Sequence, residues 1–200
     1  FTSYCPYVYG MGVLGGNWGS SITSLNATAN RFMYNTVNLN GGYFVTGFIA
    51  GRNSIGTVVE SNKIQVNAYH NNTNRGDYSH AVTLENSTHS TLSKNNISIT
   101  GSSVYPFELF DSSYNNILNN NINADATHPY GISGYRTSYN NITGNMFTLR
   151  KYNYGQTSTA AHSDVIESGD DGIMLMGSSS YNRITSNMID TNATYSVKLT

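Results

Sequence analysis

Four of the eleven acidic residues fall close together, at Asp164, Glu167, Asp170 and Asp171. Carboxylates crowded in this way raise one another's pKa, so one can hold a proton while its neighbour stays ionised. Acid–base work on a glycosidic bond needs that division of roles. The group could equally close a hydrogen-bonded turn, and Glu167, Asp170 and Asp171 could ligate a hard cation such as Ca2+. No other cofactor is expected, because the five His residues lack metal spacing on any helix and Cys5 stands alone. No Gly-x-Ser-x-Gly elbow is present to support a nucleophilic serine. A second kind of chemistry is aromatic. Tyr114, Tyr139 and Tyr181, with His89 in the equivalent place, each directly precede the polar start of a recurring motif. Stacked rings at such a corner pack on one another with wet hydroxyls, or offer a face to a pyranose ring. Tyr135 joins them as a carbohydrate-stacking candidate.

What positions these groups is a repeat. The frame polar, any, apolar, two spacers, Asn, any, apolar fits Asn115–Ile122, Asn140–Phe147 and Asn182–Ile189, and also Ser90–Ile97, Thr57–Ile64 and Asn30–Val37. Six copies at uneven intervals suggest coils of one cross-section carrying loops of different length. A short alternating segment precedes most copies, as in Val82-Thr83-Leu84 and Phe107-Glu108-Leu109. Each coil therefore offers about three short strands, and such coils stack as an all-β, single-stranded parallel β-helix of about six coils.

Stacking turns equal positions into columns. Asn35, Asn62, Asn95, Asn120, Asn145 and Asn187 form a structural amide ladder at an inward corner, each amide bonding to backbone and to the next coil. Asn96, Asn116, Asn141 and Arg183 turn outward. Thr83, Glu108, Ser133 and Met174 share one outward column and Glu85, Phe110, Tyr135 and Met176 the next. Apolar side chains in these rows call for something to cover them. By the same alignment Asp171 stacks with Tyr130, Tyr105 and His80, an edge suited to a polysaccharide groove, with Asp125 and His128 nearby. Sequons occur at Asn26, Asn71, Asn86, Asn96, Asn141 and Asn192, as many as chance expects in so Asn-rich a chain. Asn96 and Asn141 are the glycosylation candidates because they point outward. The two long intervals hold the loops around 69–79 and 149–163, where binding residues of a solenoid usually sit.

The repeat resembles those of the NosD-like and carbohydrate-active right-handed β-helix proteins, through strings such as Ser112-Ser113-Tyr114-Asn115-Asn116-Ile117 and Gly172-Ile173. The resemblance covers about residues 25–195. It implies the fold and is shared by proteins of many activities. Gly169-Asp170-Asp171 also resembles the paired-Asp motif of the polygalacturonases, whose Asn-Thr-Asp and Gly-His-Gly motifs are absent; Arg183-Ile184-Thr185 keeps two residues of their Arg-Ile-Lys. Asp125-Ala126-Thr127-His128 faintly resembles the Asp-Pro-His-Glu string of alginate epimerases. Copper, suggested by the NosD name, finds neither a Met-rich nor a His-rich tract.

Composition bounds the rest. Nearly half of the 200 residues are Asn, Ser, Thr or Gly, and only 10% are charged, with net charge -1. That excludes a helical bundle and leaves no basic footprint for nucleic acid. No apolar run is long enough for a membrane-spanning helix. Residues 1–24 read as an N-terminal cap or docking arm and 25–200 as the β-helix. The expectation is an extracellular or cell-surface structural solenoid, a fibre, sheath or surface-layer subunit or adhesin module. It would self-associate into an oligomer or filament through its ends and exposed faces, a reading its low charge supports. The alternatives are a lyase, hydrolase or epimerase acting on uronic-acid polymers, and a carbohydrate-binding module.

Overall fold

The computed structural model describes residues 7–14, 27–41, 44–51, 53–68, 78–151, 171–192 and 195–200. Every strand pairing among them is parallel, and each joins a strand to its equivalent one coil away, which makes a parallel β-helix with three faces. The first face has six three-residue strands: Arg31–Met33, Val58–Glu60, Thr91–Ser93, Asn116–Leu118, Asn141–Thr143 and Arg183–Thr185. The second carries Thr36–Gly41, Lys63–Ala68, the start of Asn96–Phe110, Asn121–Pro129, Met146–Lys151 and Met188–Thr191. The third runs from Tyr7–Leu14 through Phe44–Gly51, Tyr78–Glu85, the end of Asn96–Phe110, Ile132–Tyr135 and Asp171–Met176 to Tyr195–Leu199.

The register follows the repeat residue for residue. Leu92 pairs with Val59 and Ile117, and Ile117 with Ile142, whose side chains are all essentially solvent-free. Ile64, Ile97, Ile122 and Phe147 do the same on the second face, and Val82, Phe107, Ile132 and Ile173 on the third. Period-two alternation puts these residues into one continuous core and their neighbours outside. The third face bends over a column of small residues. A Cβ on Gly131 would lie 2.3 Å from the Gly172 carbonyl oxygen and 2.7 Å from the Phe147 ring, so only glycine lets the two faces close there.

Each bend between the end of the third face and the start of the second uses one residue in the left-handed region followed by a polar residue, whereas the corner between the second and third faces uses none in the strand Asn96–Phe110. Tyr34, Ser61, Lys94, Asn119, Gly144 and Ser186, with φ between 54° and 69°, immediately precede the six ladder asparagines. For non-glycine residues this conformation costs roughly 1–2 kcal/mol each, and the ladder offsets it. Asn95 Nδ2 donates to Asn120 Oδ1 at 3.0 Å and to the Val59 carbonyl at 2.8 Å, while its backbone N–H donates to the same Oδ1 at 2.9 Å. The amide-to-amide bond recurs from Asn35 through Asn62, Asn95, Asn120 and Asn145 to Asn187 at 2.9–3.0 Å. A second ladder, Asn115–Asn140–Asn182, satisfies the next corner with backbone-to-amide bonds of 2.9 Å. A Ser/Thr column that includes Ser112 serves a third, its hydroxyl donating to the Leu84 carbonyl at 3.0 Å.

The stretch expected to be a cap or arm contributes a rung. Tyr7–Leu14 lies parallel against Phe44–Gly51, from Tyr7 opposite Phe44 to Leu14 opposite Gly51. Both long intervals open at one corner, between the second and third faces, after Ala68 and after Lys151.

Candidate functional site

The outer side of the third face and the corner beside it bring together Glu85, Glu108, His80, Asp171 and Lys198. On the strand through Phe107 and Leu109, whose side chains enter the core, Glu108 points outward. Thr83 lies opposite it one coil before and Ser133 one coil after, followed by Met174 and Lys198. Although they face outward, Thr83, Ser133 and Met174 are buried, whereas Phe110 and Tyr135 in the next outward row are exposed. Glu108 and Lys198 are the accessible members, with 32% and 27% of their side chains exposed.

The corner column beside it holds His80, Tyr105, Tyr130 and Asp171, the stack read from the alignment. His80 pairs with Tyr105 in register, their rings 5.3 Å apart edge to face, and the Tyr105 and Tyr130 rings stack at 4.6 Å. The Gly131 N–H donates to the Asp171 carbonyl, which places Asp171 in the coil above Tyr130. All four side chains are buried. On the opposite flank Phe110 and Tyr135 stack at 5.3 Å, half-exposed, with the Arg136 guanidinium over both rings and bonded at 2.6 Å to Asp111.

Burial sets the charge states. His80 Nδ1 lies 3.5 Å from Glu108 Oε2. Burial pushes the imidazole down to about 4, so it is neutral near pH 7. Burial, and then the Glu85 carboxylate, push Glu108 up to about 7, so it carries a proton part of the time at neutrality. The wholly buried Asp171 carboxylate lies 3.9 Å from the Lys198 ammonium. A half-exposed carboxyl against a neutral imidazole can exchange a proton, or hydrogen-bond as donor or acceptor.

Of the acidic cluster, Asp171 sits in this column, while Asp164, Glu167 and Asp170 lie outside the described residues, so no cation set is assembled from them here. Tyr114, Tyr139 and Tyr181 form a ladder with His89 on a different corner, with centroids 5.5, 4.9 and 4.9 Å apart and planes within 9°. The rings occupy one another's faces, which leaves the outer face of Tyr181, 76% exposed, as the tyrosine face open at that end of the ladder. Asn96 is exposed; Asn141 is half-buried and accepts a 2.7 Å bond from the Thr143 hydroxyl. Asp125 and His128 are half-buried on the strand leading to Tyr130. Glu108 was legible only as an outward position. Its partner His80 comes from the preceding coil, and no local motif links them.

These columns on a three-faced coil define the class, an all-β parallel β-helix with no membrane-crossing helix among its described residues. A scan of protein families matches residues 45–200, well over half of the chain, to the family described as periplasmic copper-binding protein (NosD). The chain belongs to that family, a right-handed β-helix family, and the periplasmic description agrees with a β-helix of the cell envelope. No curated protein and no solved structure gives a match. The copper in the family's description meets no fitting donor set. Among the described residues no three His, Cys, Asp or Glu side chains converge, and His80, His89 and His128 stand in separate columns. No chemistry is therefore derived through copper.

Proposed function

We propose that this chain is a structural β-solenoid of the cell envelope that associates end to end with further copies of itself. One observation carries the reading. Val197 and Leu199 occupy the columns of Ile173 and Leu175, which are buried, yet they are 42% and 66% exposed on the last rung. Ile184 and Ile189, at core positions of the same coil, are also only partly buried. Uncovered core positions beside an open parallel edge make a template for another strand. Among the described residues the third face is unpaired on its outer side at both extremes, Tyr7–Leu14 and Tyr195–Leu199, so a head-to-tail contact there continues one sheet. Head-to-tail contacts that do not close build filaments, and a net charge of -1 opposes them little.

The test is sedimentation velocity and electron microscopy on the chain and on its Val197→Lys/Leu199→Lys double variant. We expect concentration-dependent linear oligomers from the first and monomers with unchanged circular dichroism from the second. A chain that stays monomeric throughout, or oligomers that the lysines leave intact, sinks the proposal. The reading as a lyase, hydrolase or epimerase on uronic-acid polymers gains less support, because Glu85 and the partly ionised Glu108 would oppose a polyuronate laid along the third face.

A further inference from the structure

We propose that the outer side of the third face, centred on Glu108, binds an uncharged glycan. Glu108 and Thr83 would take its hydroxyls and the flanking rings its apolar faces. The strongest observation is Thr83. Its hydroxyl is buried, the residue being 9% exposed, and makes no hydrogen bond. Val82 and Leu84 enter the core on either side of it, so Thr83 stands on the outer side, in register below Glu108. An unbonded hydroxyl at such a site destabilises the free protein, and a valine of the same shape would not. A serviceable role for the oxygen is to meet a ligand that brings its own donors and acceptors. Thr46, in the corner column one coil below His80, likewise has a buried, unbonded hydroxyl.

The surroundings select the ligand's chemistry. Glu108 is the accessible polar group next to Thr83 in the row, and its proton is available near neutral pH, so it can donate to or accept from a sugar hydroxyl. Exposed rings flank it: Tyr78, 42% exposed and stacked at 6.1 Å on Tyr105, and Phe110, 40% exposed and stacked on Tyr135. Rings beside a few placed polar groups suit a ligand with both hydroxyl and C–H faces. Glu85 and Glu108 disfavour an anionic polymer, which leaves a neutral glycan. Every rung of this face repeats at roughly 4.8 Å, so an extended chain lying along the axis crosses the rungs of Thr83, Glu108 and Ser133 in turn, meeting the exposed Glu108 carboxyl and reaching the Thr83 hydroxyl as it settles between the flanking rings.

The experiment is calorimetric titration of the full chain with cellohexaose, xylohexaose, laminarihexaose and chitohexaose, alongside thermal melts. At least one should bind saturably at micromolar to millimolar concentration. Thr83→Val should weaken that binding about tenfold, one hydrogen bond's worth, while raising the melting temperature. Thr83→Ser should retain binding, Glu108→Ala should weaken it at least as much as Thr83→Val, and Tyr181→Ala on the separate ladder should change nothing. Silence from all four sugars overturns the proposal. So does a Thr83→Val variant that binds as well as the parent or melts lower, or a loss of binding in Tyr181→Ala. The site is independent of end-to-end association, so the Val197→Lys/Leu199→Lys variant should bind as the parent does whichever way its oligomers behave.

Discussion

Asn120→Ala is expected to lower the unfolding free energy by about 4 kcal/mol, an effect typical of the buried amides in the middle of the ladder. Asn120 is 2% exposed, so water cannot replace what its side chain does. Its Oδ1 accepts from the Asn95 backbone N–H at 2.9 Å and from Asn95 Nδ2 at 3.0 Å. Its Nδ2 donates to the Leu92 carbonyl at 2.8 Å and to Asn145 Oδ1 at 2.9 Å. Truncation orphans one buried backbone donor and takes a donor from one buried carbonyl, at about 1–3 kcal/mol each, before any small cavity is counted. Asn120→Asp should cost at least as much: it keeps the acceptor but loses both donors and adds a buried charge. Asn187→Ala removes the same kinds of bond from the last coil, where the residue is only half-buried and water can substitute, so about 1–2 kcal/mol is expected. Urea denaturation of the three variants checks the gradient. An Asn120→Ala protein within about 1 kcal/mol of the parent would show that the ladder is a bystander to stability.

That ladder is also the part of the fold most legible in the sequence, for a physical reason. A parallel stack gives each coil the same environment, so a residue type needed once is needed at every level, and Asn recurs through all six coils despite uneven spacing. The neighbouring ladder was harder to see, because Ser90 and Thr57 stand where Asn115, Asn140 and Asn182 stand in other coils, and a mixed column hides its function. Left-handed corners at His89, Tyr114, Tyr139 and Tyr181 carry no such signal, since aromatic residues seldom adopt that conformation without stacked neighbours to hold them. The rung formed by Tyr7–Leu14 lacks the motif altogether, and only its pairing with Phe44–Gly51 identifies it. The site was half legible. Alignment predicted the column from His80 to Asp171 and the outward place of Glu108, but sequence spacing cannot say that two columns approach closely enough for one carboxyl to touch one imidazole.

That contact makes its own prediction, about stability against pH. Glu108 titrates at about 7 in the folded chain against an ordinary 4.5. Between those values the folded state holds a proton that the unfolded chain has released, so this group's contribution falls as pH rises through the window and is gone above 7. His80 titrates at about 4 against an ordinary 6.5. Across its window the unfolded chain takes up a proton the folded state refuses, so its contribution to stability rises with pH and is complete above 6.5. The two windows overlap and their slopes are opposite, which gives the parent protein a plateau through mildly acidic pH. Glu85, whose charge helps raise Glu108, and Tyr105, whose ring meets His80, face the pair and are present in parent and variants alike, as are Asp171 and Lys198 further along the stack, so variant-minus-parent differences isolate the two groups. Glu108→Gln should expose the His80 limb, stability climbing by on the order of 3 kcal/mol from pH 4 to 6.5. His80→Gln should expose the opposite limb, a fall of about 2 kcal/mol as Glu108 ionises, discounted because a third of its side chain meets solvent. Chemical denaturation at half-unit pH steps reads both limbs. Parallel profiles for parent and variants would mean that neither group is held away from its ordinary pKa, and the buried imidazole–carboxyl contact would then have no part in the chemistry of this face.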